Sequence, residues 1–223
     1  MIDPTLTLTL LKRRTKAARV KKQFQFSVYD NNGLGSMTDA ITELARHGRT
    51  EKDEYYLSFA SYKSRHTKDD IQHMSAIPLS YPYSCKAELD AALSSLPYIH
   101  YVIHSQSETN SKAPEERIVV AFIPDSPITC PKEYTRIASI LSEKIGVGSH
   151  SQGDFSATYL FALFTQICSV PKIVLNDVDR EFLDPAAFIE EHRGVWTNAR
   201  LLQEGAAPKP KAMTPDDTGL FVF

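Results

Sequence analysis

Three groups of residues in this 223-residue chain carry enough chemistry to suggest a function. The first is cationic: Lys12, Arg13, Arg14, Lys16, Arg19, Lys21 and Lys22 fall within eleven residues that contain no acid. With those seven set aside, 18 basic residues face 27 acidic ones, so a body near −9 carries one short segment of opposite sign. Such asymmetry suits an arm that meets a polyanion; the plainer alternative is the solvated face of a short helix. The second group mixes rings and cations, with Tyr55, Tyr56, Phe59, Tyr62, Tyr81 and Tyr83 close to Lys63, Arg65, His66 and Lys68. That interleaving would let bases stack while phosphates are neutralised, against the simpler reading of a packed strand beside an exposed basic loop. The third is the pair His100 and His104. No nearby carboxylate orients them, so a half-exposed strand face is a better reading than a nucleophile or metal pair.

Other candidates fail on spacing. Asp177, Asp179 and Asp184 lack the glycine and terminal glutamate of a calcium loop, and Gly33-Leu34-Gly35 lacks the lysine of a phosphate loop. Cys85, Cys130 and Cys168 are odd in number and widely spaced, so they read as buried thiols and signal neither a disulfide framework nor zinc.

The elements that must position these residues alternate between strand and helix periods. Phe24, Phe26 and Val28 alternate with polar neighbours as a half-buried strand does, and Asn31-Asn32-Gly33 breaks it before an amphipathic helix from Ser36 to about Gly48. Short apolar runs at 54–60 and 74–79 predict further strands, the second made irregular by Pro78 and Pro82. A helix is expected over about 86–96, and strands over Ile99 to Ser105 and Arg117 to Ile123. The run Val119-Val120-Ala121-Phe122-Ile123 is continuously apolar, as a central strand buried on both faces would be. Ser107 to Glu116 reads as an exposed connection, and Pro131 to Ile145 as the best helix, stopped by Gly146. A strand at Tyr159 to Phe164, a short one at Ile173 to Leu175 and a helix begun by Asp184-Pro185 complete the body.

A composition of 42% hydrophobic and 23% charged residues argues against general disorder, and no apolar run is long enough to span a bilayer. The N-terminal run Thr5-Leu-Thr-Leu-Thr-Leu-Leu11 precedes the basic cluster, the reverse of a signal peptide's charge order, so cytoplasmic placement is expected. The expected organisation is a basic segment over 1–23, one domain over 24–204, and a tail over 205–223 containing Pro208, Pro210 and Pro215.

Over about residues 24–165 the order of elements resembles the archaeo-eukaryotic primase-like (primase-polymerase) domains of plasmid and phage replication proteins. The strings that carry it are Phe26 to Gly35, Ser58 to Lys63, Met74-Ser-Ala-Ile77, Tyr101 to Ser105, Arg117 to Pro124, and Pro127-Ile-Thr with Glu133-Tyr134. The resemblance implies an α/β (α+β) fold with a mixed, palm-like central sheet and flanking helices. It also implies metal-dependent nucleotidyl transfer by converging carboxylates. Here the pattern departs: Ser80 and Pro82 stand where the family's Asp-x-Asp would be, and Gln106 of His104-Ser105-Gln106 stands for its phosphate-facing histidine. Tyr159 lies where an arginine would open a late strand, and Arg117 alone of the polar set is kept. The expectation is a catalytically degenerate, cytoplasmic protein of a mobile element, without metal or other cofactor, that binds nucleic acid or a replication partner and no membrane. Its expected contacts are the seven clustered cations with Tyr62, Lys63 and Arg65. One alternative is an active primase-polymerase using magnesium or manganese held by Asp69, Asp70 or Asp90. Another is a protein that inhibits phage or host machinery.

Overall fold

The computed structural model describes residues 4–13, 18–29, 37, 54–108, 114–147, 155–157 and 173–194. The first strand, β1 (Thr5–Arg13), comes from the alternating Thr-Leu run. Its leucines Leu6, Leu8 and Leu10 bury on one face, and Thr7, Thr9 and Leu11 on the other. It is the middle strand of an antiparallel sheet, between β2 (Ala18–Ser27) and β3 (Glu54–Ser58). The strand expected from Phe24 therefore starts at Ala18, and the boundary expected between residues 23 and 24 falls inside β2. The basic residues Arg19, Lys21 and Lys22 belong to a β-ladder instead of a projecting arm.

Threonine hydroxyls on a buried face need partners, and they find them on β4 (Ala60–Tyr62), β5 (Ile71–Met74) and the segment after it. Thr9 Oγ1 donates to the Ala60 carbonyl at 2.6 Å, and Thr7 Oγ1 lies 3.2 Å from His73 Nε2. Ser75 Oγ accepts the Thr7 N–H at 2.8 Å and sits 3.0 Å and 2.9 Å from the carbonyls of Thr7 and Phe59. One buried hydroxyl thus fastens the N-terminal hairpin to the body.

A second, four-stranded sheet contains β6 (Ile77–Pro82), β7 (His100–Glu108), β8 (Pro114–Phe122) and β9 (Ile173–Asn176), in the order β6-β8-β7-β9. Its ladders are antiparallel, and parallel pairing enters at the isolated bridges Tyr98↔Glu181 and Pro124↔Leu183. The strands expected over 99–105 and 117–123 lie side by side, with β8 flanked on both sides as a central strand and Val119 to Ile123 fully buried. β6 is an edge strand among the described residues, where proline's missing N–H is tolerated at Pro78 and Pro82. β7 and β8 run further than their apolar cores, to Glu108 and from Pro114, into the stretch read as a loop.

Three helices complete the described body: α1 (Lys86–Ser94), α2 (Pro131–Ile145) and α3 (Pro185–Glu191). Proline occupies the first turn of α2, and Gly146, at φ 64°, ends it in the left-handed conformation that glycine adopts without strain. One face of the four-stranded sheet (Tyr101, Ile103, Val119, Ala121) packs on Leu6, Leu8, Leu10, Phe26 and Leu57 of the first sheet. The other (Leu79, Tyr81, Val102, Val120, Phe122) packs on Leu89, Leu93, Ile137, Leu141 and Phe188 of the helices. The architecture is α+β: sheet, sheet and helices, with two cores on either side of the second sheet. The helix expected over 36–48 (save a buried Met37), the strand over 159–164 and the tail over 205–223 lie outside the described residues. No described helix is long and apolar enough to cross a membrane.

Candidate nucleic-acid interface

The degenerate motif positions converge only in part. Arg117 is paired with Pro82 on one side and Ser105 on the other, which puts its side chain on the face that also carries Ser80. Its Nε donates to Ser80 Oγ at 2.8 Å and its Nη2 to the Ser80 carbonyl at 3.2 Å. A serine held by a guanidinium is a poor place for a divalent cation, since the fixed charge there repels it. His104 lies on the opposite face of the sheet, paired with Ile118, its ring 5.9 Å from that of Tyr83. The backbone of Gln106 pairs with Glu116, and Tyr159 lies outside the described residues. Asp69 and Asp70 sit in the turn before β5, and Asp90 on α1 is ion-paired with Lys86; none of the three is on β6, β7 or β8. Among the described residues no group of three or more His, Cys, Asp or Glu is placed to hold a metal ion.

His100 is not half-exposed as expected. It is fully buried, with Nδ1 2.8 Å from the Tyr98 carbonyl, its ring against Phe122 at 5.4 Å, and Nε2 without a hydrogen-bond partner. Burial holds its pKa below the usual histidine value, the nearby Arg180 charge adding to the effect and the carbonyl opposing it.

The cationic residues assemble where two distant segments meet. Arg19 of β2 forms an antiparallel bridge with Arg65, flanked by Val20 N–H to Ser64 carbonyl at 3.3 Å and His66 N–H to Ala18 carbonyl at 3.1 Å. The 63–70 loop is shaped for this by Asp70, whose carboxylate accepts the Arg65 N–H at 2.9 Å and the Ser64 hydroxyl at 3.2 Å. Gln23 extends the seam, its Nε2 donating to the Tyr62 carbonyl at 2.8 Å. On the other side Arg19 pairs with Lys12, and Lys12 with Tyr55 of β3.

Residues directly opposite in antiparallel ladders share a face, so Tyr55, Lys12, Arg19 and Arg65 form one row across four strand segments. Alternation explains which side they take, because Leu11, Ala18 and Val20 turn into the helix-side core and leave Lys12 and Arg19 on the reverse. A bulge between Leu10 and Leu11, where Val20 and Lys22 pair successively and Lys21 is left over, brings Lys22 to that same face. Lys12 Nζ lies 5.7 Å over the Tyr55 ring and Lys22 Nζ 4.5 Å over that of Phe24. Arg19, Lys21, Lys22, Lys63 and Arg65 are exposed.

Tyr62 does not belong to this surface. It is 2% exposed, its hydroxyl lies 3.2 Å from Ser58 Oγ, and burial pushes its pKa up to about 12. Of the other rings weighed for stacking, Phe59 and Tyr81 are core as well, in line with the packed-strand reading, while Tyr83 is 40% exposed. The half-buried rings beside the cations are Phe24 and Tyr55. Arg14 and Lys16 lie outside the described residues, and Arg13 is placed only by its backbone pairing with Ala18 and Glu54.

No protein-family model matches the chain, and no curated protein does. Among solved structures it is similar to the AEP domain of the cyanophage S-2L primase-polymerase, with 13% identity and a TM-score of 0.43 over 85% of this chain and 89% of that one. A likeness that distant assigns neither a family nor an activity.

Proposed function

We propose that this protein binds nucleic acid through the strand-borne cationic face and does not itself transfer nucleotides. The observation that carries the reading is the Arg19↔Arg65 bridge, which joins two basic segments far apart in sequence into one surface. Directly opposed like charges in a sheet cost stability, on the order of 0.2–1 kcal/mol per pair. A polyanion laid across them reverses the sign of that contribution. The catalytic half of the reading is supported by the residues at the degenerate positions: Ser80 bound by Arg117, and a proline at 82 that offers no ligand. The setting it suits is replication in a phage or plasmid, with a nucleic-acid-binding role kept and the metal chemistry given up.

Two assays test it. Fluorescence anisotropy with labelled oligonucleotides at low salt is expected to detect binding that weakens steeply as salt rises. Primer extension with magnesium or manganese is expected to give no product. Incorporation that disappears on replacing Asp69, Asp70 or Asp90 would establish the active alternative. Absence of any oligonucleotide binding would favour a protein partner for this face.

A further inference from the structure

We infer that the ligand of this face is single-stranded nucleic acid, whose backbone follows the row Lys12–Arg19–Arg65 while unpaired bases pack on Phe24 and Tyr55. This rests on the nucleic-acid reading and narrows it. Neighbouring strands are about 4.8 Å apart, so the three cations span about 10 Å in a straight line across the sheet. That is one short stretch of a single phosphate backbone. Among the described residues no ion pair joins Arg19 or Arg65 to a carboxylate, and Asp70 of the same loop is occupied with the Arg65 N–H and the Ser64 hydroxyl.

The aromatic content decides between strand and duplex. Phe24 and Tyr55 both edge the inter-sheet core and are half-buried, and each has a lysine ammonium above it. A duplex hides its base faces within the stack and presents phosphates alone, whereas an open sheet carrying rings beside cations offers a stacking partner to unpaired bases. An ammonium over a ring is also displaced without leaving a buried charge, because Lys22 is exposed and can turn to a phosphate. The row is built from backbone pairing in three segments, so its spacing is fixed before any ligand arrives and little ordering is needed on binding.

The test uses the full chain with a labelled 20-nucleotide oligothymidylate and a 20-base-pair duplex of mixed sequence. The wild type is expected to bind the single strand at least tenfold more tightly than the duplex. Arg19→Thr and Arg65→Thr should each flatten the salt dependence for the single strand by about 0.7 in the log–log slope, and Arg19→Lys should restore it. Phe24→Leu and Tyr55→Leu keep the apolar packing and remove the ring, so they should weaken the single strand about fivefold or more and leave the duplex unchanged. Thermal midpoints report folding, and Arg19→Thr is expected to raise the midpoint by relieving the like-charge row. Equal affinity for strand and duplex, or ring variants that change neither, would overturn the single-strand assignment while leaving nucleic-acid binding intact. No binding of either probe at low salt would overturn both.

Discussion

Replacing Ser75 by alanine probes how firmly the cation-bearing hairpin is built into the fold. Ser75 is 2% exposed, and its hydroxyl accepts the buried Thr7 N–H while donating to the carbonyl of Thr7 or of Phe59. Alanine removes the acceptor and strands that N–H in the interior, at a cost of about 1–3 kcal/mol, and also forfeits a donated bond worth about 1 kcal/mol. A net loss of about 2–4 kcal/mol follows. For a chain of this size each kcal/mol moves the melting midpoint by about 2–4 °C, so the variant should melt about 4–16 °C lower. Urea unfolding gives the free energy directly, with an unchanged slope showing that the unfolded reference is the same. Ser126→Ala is the control, because that hydroxyl bonds Asp125 Oδ1 at the surface and its loss should stay within about 0.5 kcal/mol. A Ser75→Ala protein as stable as the wild type would refute the claim that this bridge locks the hairpin in place.

Three further outcomes follow from the geometry. Tyr62→Phe should cost about 0.5–1.5 kcal/mol by losing the buried bond to Ser58, yet leave oligonucleotide affinity unchanged, which anisotropy and urea unfolding check together. His100 is held neutral by burial, so the unfolded chain binds its proton first as pH falls; stability should be full above about pH 6.5, the ordinary histidine value, and decline below it. His73, also shifted down by burial, acts in the same window, so His100→Asn should flatten only part of that decline in urea melts taken between pH 5 and 8. Asp184→Ala should cost about 1 kcal/mol, since its carboxylate accepts the N–H groups of Ala186 and Ala187 at 2.9 Å and 3.0 Å and caps α3.

The parts of the fold that were legible in the sequence are those set by local pattern. The stripe from Tyr134 to Ile145 with its proline start and glycine stop specified α2, and the continuous run at Val119 to Ile123 specified a central strand. β1 is equally legible in its strict Thr-Leu alternation, a period of two that the charge order of the N-terminus overshadows. β2 starts earlier than its aromatic alternation suggests because Arg19, Lys21 and Lys22 look like a solvated tail; Ala18 and Val20, alternating with Arg19 and Lys21, carry the signal that extends it. Tyr62 misled because ring type and neighbouring lysines say nothing about which face a residue takes, and strand parity sent Tyr62 inward and Lys63 outward. The candidate site was the least legible. Arg19 meets Arg65 through long-range register, which no local window encodes, so nothing in either basic segment signals that the two share one face.

The central claim is that these segments act as one surface, and a double-mutant cycle on single-strand binding with Arg19→Thr, Arg65→Thr and the pair tests it most directly. Cations held directly opposite each other on a shared backbone should be coupled by about 0.5 kcal/mol or more, beyond the additivity seen for independent sites. Strictly additive losses, or a neutral effect of either single change, would mean that Arg19 and Arg65 do not serve a common ligand.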